Sequence, residues 1–126
     1  MTGANGRIGK VLVNRLVAQG APVVGLARSE AKAAEVRDLG AECLVGSMTD
    51  ADVLDQGLDG ASHVYHLAGG FRGPGTETPD QINRVGAEQL AQALRRHDKK
   101  RVVFTSTCAV YGDRSSLWVA EDMPAH

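Results

Sequence analysis

The 126 residues suffice for one domain at most. Hydrophobic residues make up 43% and charged residues 23%, a balance that can bury a core and excludes a disordered chain. The net charge of −1 excludes a global field that would recruit nucleic acid or a membrane surface.

No apolar run nears the roughly 18 residues of a bilayer span. The glycine-rich, polar start does not read as a signal peptide. Cys43 and Cys108 are far apart and form no Cys-x-x-Cys pair, so they read as two buried thiols of a protein in a reducing cytosol.

The chain opens MTGANGRIGK. Ile8, Leu12 and Leu16 then recur at helical spacing, with Val11 and Val13 beside them, and predict a helix from about Ile8 to Gln19, closed by Gly20. PVVGLA (Pro22–Ala27) is β-branched with no polar alternation, which suits a strand buried on both faces. Glu30–Leu39 reads as a second helix stopped by Gly40, and Glu42–Val45 as a second strand. Asp50–Leu58 reads as a helix with a carboxylate at its positive end. His63–Leu67 is a third strand, leading into Ala68-Gly69-Gly70.

After a loop over Phe71–Pro79, the longest helix runs from about Asp80 to His97, with Ile82, Val85, Leu90 and Leu94 on one face. RVVFTS (Arg101–Ser106) is a fourth strand, and the tail from Tyr111 has no clear period. Strand alternates with helix throughout, which predicts an α/β domain on a parallel sheet with right-handed crossovers.

The opening turn has a physical reading. Gly3 permits a tight turn, Gly6 lets the backbone approach a pyrophosphate, and Gly9 brings the helix close to the sheet. The amides at the helix start then face the phosphates, aided by the helix dipole. The next strand ends Ala27-Arg28-Ser29, with no acid until Glu30. An arginine there suits the 2′-phosphate of NADP, whereas NAD wants a carboxylate, so NADP is favoured over NAD.

TGANGRIG (Thr2–Gly9), GLARS (Gly25–Ser29), HLAGG (His66–Gly70) and FTSTCAVYG (Phe104–Gly112) follow in an order that resembles the extended short-chain dehydrogenase/reductases, the NAD(P)-dependent epimerase/dehydratase family. NRVGAEQL (Asn83–Leu90) is similar to that family's long-helix signature. The resemblance implies a Rossmann-type doubly wound parallel sheet, with residues 1–126 a partial NAD(P)-binding domain whose first strand and C-terminal substrate domain are missing. It places Gly3, Asn5, Gly6, Arg7, Ile8 and Gly9 at the diphosphate, and Arg28 and Ser29 at the adenosine ribose. Ser47 and Met48 fall beside the adenine, where the family usually has Asp-Leu. Leu67, Ala68, Gly69 and Asn83 complete the cofactor set.

The family's catalytic hydroxyl aligns with Thr107, with Ser106 the neighbouring candidate. Tyr111 belongs to the Val-Tyr-Gly signature and is not the catalytic tyrosine. That tyrosine sits in a separate Tyr-x-x-x-Lys motif, found nowhere in the 126 residues. A tyrosine of ordinary pKa about 10 needs such a lysine and the cofactor charge to act near neutral pH.

The resemblance thus implies the NAD(P)-binding portion of an epimerase, dehydratase or reductase. It would move hydride between nicotinamide and a hydroxyl or keto carbon, with a nucleotide sugar the commonest substrate. A small-molecule substrate is implied, with no nucleic-acid or membrane partner, and a homodimer of the full-length parent stays open. A non-catalytic NAD(P)-sensing regulator is the alternative, and a flavin or nucleotide module on the same turn a further one.

RRHDKKR (Arg95–Arg101) reads as solvated charge at a helix C-terminus, with no aromatic residues to stack bases. His63 and His66 lie three apart on a strand and face opposite ways, so no metal site is expected. Trp118 is expected to pack over the nucleotide site or a further domain. In the doubly wound order 3-2-1-4-5-6, the strand before the glycine turn is the central one. An apolar strand of about five residues is therefore expected ahead of Thr2, and without it the flanking strands must close up or stay unpaired.

Overall fold

A computed structural model of the chain describes residues 1–70, 78–97, 101–112 and 118–124. Most of the loop after Gly70, the 98–100 part of the basic run, and His126 lie outside the described residues. The predicted alternation is present. Helix α1 spans Arg7–Ala18, strand β1 Val24–Ala27, α2 Glu30–Arg37, β2 Glu42–Val45, α3 Ala51–Leu58, β3 His63–His66, α4 Gly86–Arg96 and β4 Arg101–Phe104.

Local chemistry fixes the helix starts. The Asp50 carboxylate accepts from the backbone N–H groups of Asp52 and Val53 at 3.1 and 3.3 Å, capping α3. Ser29 caps α2 by accepting from the Lys32 N–H at 3.4 Å. The long helix differs from expectation: a turn of π-helix over Gln81–Val85 precedes α4. The strands are shorter than the apolar runs. β1 begins at Val24 and not at Pro22, whose nitrogen has no hydrogen to offer a ladder. β3 stops at His66, and β4 stops at Phe104 and not at Ser106.

All pairings are parallel. β1 pairs with β2 in the register Val24↔Glu42 to Ala27↔Val45. β3 pairs with β4 from His63↔Arg101 to His66↔Phe104. The two pairs meet only at Thr2, which bridges Leu26 on one side and His66 on the other. The spatial order is therefore β2, β1, Met1–Thr2, β3, β4, a doubly wound arrangement.

Two apolar clusters lie on opposite faces. One packs α1 and α2 on the sheet through Val13, Val23, Ala33, Val36 and Cys43. The other packs α3 and α4 through Leu54, Leu58, Val64, Leu90 and Ala93. Arg96 ties α4 to α3 by a bidentate pair to Asp55 at 2.9 and 3.0 Å, and His97 adds a contact to the same carboxylate at 3.1 Å. The Arg96 guanidinium, with help from His97, holds the Asp55 carboxyl below its usual range.

One reading of the sequence is corrected here. Cys43 is buried as expected, but Cys108 is exposed, because it opens a short 3₁₀ turn beyond β4 that no described element covers. Trp118 is 97% exposed and packs on nothing among the described residues. Every residue of β4 is exposed as well, Phe104 at 59%. No helix among the described residues is long and apolar enough to cross a membrane.

Candidate cofactor-binding site

The chemistry-bearing segments all leave the carboxyl ends of parallel strands. The glycine turn follows Thr2, Arg28-Ser29 follows β1, Ser47-Met48 follows β2, Leu67–Gly70 follows β3 and Thr105–Thr107 follows β4. The turn sits where strand order reverses, the crevice in which open α/β sheets take their ligands.

Gly3 holds a left-handed φ of +68°, and a Cβ there would lie 2.7 Å from the Ala68 nitrogen and the Leu67 carbonyl carbon. The turn is thus wedged against the exit of β3. Gly9 is buried, and a Cβ there would lie 2.1 Å from the Gly3 carbonyl oxygen. Gly6 is different. It is exposed, its φ of −72° suits any residue, and a Cβ there would approach only the Gly3 carbonyl oxygen, at 3.1 Å. The fold demands glycine most strongly at Gly3 and Gly9; at Gly6 the clash with the protein is milder, and a ligand lying close to the backbone would add to it.

Gly6 is also the N-cap of α1, with no side-chain cap on the first amides. The first turn carries no acid and instead holds Arg7 and Lys10, the reverse of what the helix dipole favours unless an anion sits there. Lys10 reaches Glu35 on α2 at 2.6 Å, and with Lys32 it lowers the Glu35 carboxyl to about 2. Arg7 and Ile8 are exposed and Asn5 half-buried.

Sequence reading missed a buried polar pair beneath the turn. The Thr2 hydroxyl lies 2.8 Å from His66 Nδ1 and accepts from the Ala68 N–H at 3.3 Å. Thr2 is 5% and His66 2% exposed. Phe104 covers the imidazole, with ring centroids 4.9 Å apart. Burial pushes the His66 pKa below its usual value. The signal was present as a threonine just before the glycine turn and a histidine at the end of an apolar strand, but no spacing rule joins residues 64 apart.

The remaining predicted residues fall into three groups. Asn83 turns its amide onto the β3 exit, accepting from the Gly70 N–H at 2.8 Å and donating to the Gly70 carbonyl at 2.7 Å. It fixes the Leu67–Gly70 loop, a positioning role. Met48 sends its side chain into the α3–α4 cluster, where Gly86 lets α4 pass close to it. Ser47 hydrogen-bonds Thr49 at 2.9 Å, and Arg28 and Ser29 are exposed past β1. Thr107 and Ser106 are exposed past β4, and the Thr107 hydroxyl accepts from the Ala109 N–H at 3.2 Å, which leaves its proton to donate.

The NAD dependent epimerase/dehydratase family model matches residues 1–124. The chain belongs to that family. Among curated relatives, it is 34% identical over 126 residues to a 4-hydroxy-2-methyl-3-oxo-4-farnesyl-3,4-dihydroquinoline-1-oxide ketoreductase of Stigmatella aurantiaca, covering 98% of this chain and 38% of that protein. It is 33% identical to a UDP-glucose 4-epimerase of Mycolicibacterium smegmatis, covering 100% of this chain and 44% of that one. Among solved structures, a short-chain dehydrogenase/reductase superfamily protein of Agrobacterium tumefaciens with bound NAD superposes at a TM-score of 0.80. Its identity is 31%, covering 99% of this chain and 38% of that one. The chain thus spans well under half the length of these family members. The doubly wound α/β fold expected from the sequence is the fold of this family's structures.

Proposed function

We propose that this chain is the NAD(P)-binding portion of an enzyme that moves hydride between the nicotinamide and a hydroxyl or keto carbon of a small molecule, a nucleotide sugar being the favoured class. The supporting observation is Gly6, an exposed glycine at the uncapped start of α1, where a Cβ would meet the protein only at the Gly3 carbonyl oxygen, 3.1 Å away. A bound nicotinamide cofactor would supply the hydride chemistry. This chain's part is to cradle the diphosphate on the α1 amides, to hold the Leu67–Gly70 loop with Asn83, and to present the Thr107 hydroxyl, with Ser106 beside it. Ser47 and Ser29 line the adenosine end in this reading, and Met48, whose side chain lies in the α3–α4 cluster, has only its backbone to offer there. No tyrosine in the 126 residues has a lysine four positions on, so proton transfer by such a pair is not within this chain.

The test is Gly6→Ala. A ligand-driven glycine predicts a stability change within about 1 kcal/mol, since overpacking one exposed methyl is mild. NADP affinity should fall at least tenfold in a fluorescence titration, about 1.4 kcal/mol or more. Unchanged affinity would remove the phosphate cradle from the account.

Arg28 is proposed to read the 2′-phosphate. Arg28→Ala should reduce NADP affinity by roughly tenfold to a hundredfold, as loss of a charge-assisted hydrogen bond does, with NAD binding little altered. Equal loss for both cofactors would place the discrimination elsewhere. In a longer protein that carries the Tyr-x-x-x-Lys motif, Thr107→Ala should cut turnover by about 10²-fold or more with NADP affinity kept. Unchanged turnover in the Thr107→Ala variant would remove Thr107 from the chemistry, whereas a longer protein that binds cofactor normally yet shows no turnover would favour the sensor reading.

A further inference from the structure

Arg7, Lys10, Arg28 and Lys32 stand on the segments that leave the glycine turn and β1. Both glutamates of α2 are engaged near them. Glu30, in the first turn, pairs with Arg37 about two turns further along the helix, and Arg37 also donates to the Cys43 carbonyl at 3.0 Å. That contact draws the Glu30 carboxylate back from the β1 exit. Glu35 takes both lysines. The Lys10 ammonium lies 2.6 Å from one of its oxygens and the Lys32 ammonium 2.6 Å from the other.

This carboxylate is a clasp between two helices. Lys10 belongs to α1 and Lys32 to α2, and both helices start at the ligand edge of the sheet and pack on the same face. Glu35 lies three residues deeper into α2 than Lys32, about 4.5 Å along the axis. Lys32 is therefore turned along the helix, away from the Arg28–Ser29 end. Both lysine side chains stay partly in water, 41% and 52% exposed. Exposed ion pairs of this kind are weak, so a competing anion can exchange with the carboxylate. A phosphate monoester is a strong competitor, with a charge of about −1.5 to −2 at neutral pH against the single charge of Glu35.

We propose that Glu35 is a specificity-determining residue of the cofactor site: its carboxylate occupies Lys10 and Lys32 in place of the adenosine 2′-phosphate, and so narrows the preference for NADP. The inference rests on the reading above that the Arg28–Ser29 end takes the adenosine ribose. NAD has no 2′-phosphate to gain from the lysines, so the effect of Glu35 falls on NADP alone. The hydrogen bonds from Lys10 and Lys32 hold the Glu35 carboxyl at about 2. It keeps its charge throughout the neutral range, and mild acid does not open the clasp.

Fluorescence titration of NADP and of NAD tests this on three proteins: the 126-residue chain, its Glu35→Gln variant, and a variant that adds Lys10→Gln and Lys32→Gln to Glu35→Gln. Glutamine keeps the shape of Glu35 and removes its charge. Glu35→Gln should tighten NADP binding about three- to tenfold, with NAD affinity kept within about twofold. The gain should fade as salt rises from about 0.01 M to about 1 M, which shortens the Debye length from about 30 Å to about 3 Å. It should vanish when both lysines are removed as well. Weaker NADP binding in Glu35→Gln would make the carboxylate an organiser of the lysines and overturn the proposal. An equal shift for both cofactors, or a gain that survives without the lysines, overturns it too. A parent chain that binds neither cofactor removes the cofactor site and this inference with it. A parent that binds both, with affinities that Glu35→Gln leaves unchanged, removes the role of Glu35 alone.

Discussion

Gly9→Ala should unfold or nearly unfold the domain, while Gly6→Ala, three residues away in the same turn, should leave it folded. The difference is geometric. A Cβ at Gly9 would sit 2.1 Å from the Gly3 carbonyl oxygen and 2.7 Å from that of Ala4. Both are backbone atoms, and neither can rotate aside. Relief requires α1 to lift from the turn, which also withdraws Val13 from the core it shares with Val23, Ala33 and Val36. Overpacking typically costs about 1–3 kcal/mol and occasionally more, and two unyielding backbone atoms put this site at the upper end, a large part of the roughly 5–15 kcal/mol that holds a domain of this size. Urea unfolding by circular dichroism measures it, with Gly6→Ala as the control. A Gly9→Ala variant whose midpoint matches the parent would mean that the helix does not rest on the turn at this distance.

Gly9 also shows where pattern reading stopped. The recurrence of Ile8, Leu12 and Leu16 located α1 within a residue at each end, yet Ile8 is 64% and Val11 68% exposed. The buried line runs instead through Gly9 and Val13. Close contact at a residue without a side chain sets the rotation of the helix, and hydropathy assigns such a residue no weight. Local rules worked where the cause was local. Asp50 caps α3 from its own first turn, and β2 has the expected bounds. The strand end was overrun at Thr105-Ser106, two hydroxyl residues that follow the apolar run but lie beyond β4. The segments of the candidate site were legible because each follows directly on a strand. The contacts that hold them, Thr2 with His66 and Asn83 with Gly70, join residues 64 and 13 apart and belong to the tertiary fold alone.

The Thr2–His66 pair carries the second large effect, and it depends on pH. The Ala68 N–H occupies one lone pair of the Thr2 hydroxyl, and the same hydroxyl shares a hydrogen bond with His66 Nδ1 whose direction follows the ring's tautomer. Thr2→Val keeps the shape but strands a buried imidazole nitrogen and the Ala68 N–H, a loss of about 1–3 kcal/mol for groups left without partners. The pH dependence follows from the depressed pKa of His66 in the fold. Between that value and the unfolded value of about 6.5, the unfolded chain binds more protons, so stability rises with pH across the window. The contribution is complete above the unfolded pKa and is lost as pH falls toward the folded one. Urea midpoints should therefore drop between pH 7.5 and pH 5, and His66→Phe should flatten that drop although it alters the midpoint itself. An unchanged slope in His66→Phe would assign the acid sensitivity to other groups. Because Thr2 also bridges the two halves of the sheet and leads directly into the glycine turn, loss of the pair should loosen Gly3 from Leu67–Ala68. Thr2→Val should then weaken NADP binding as well as stability, whereas Gly6→Ala weakens binding alone.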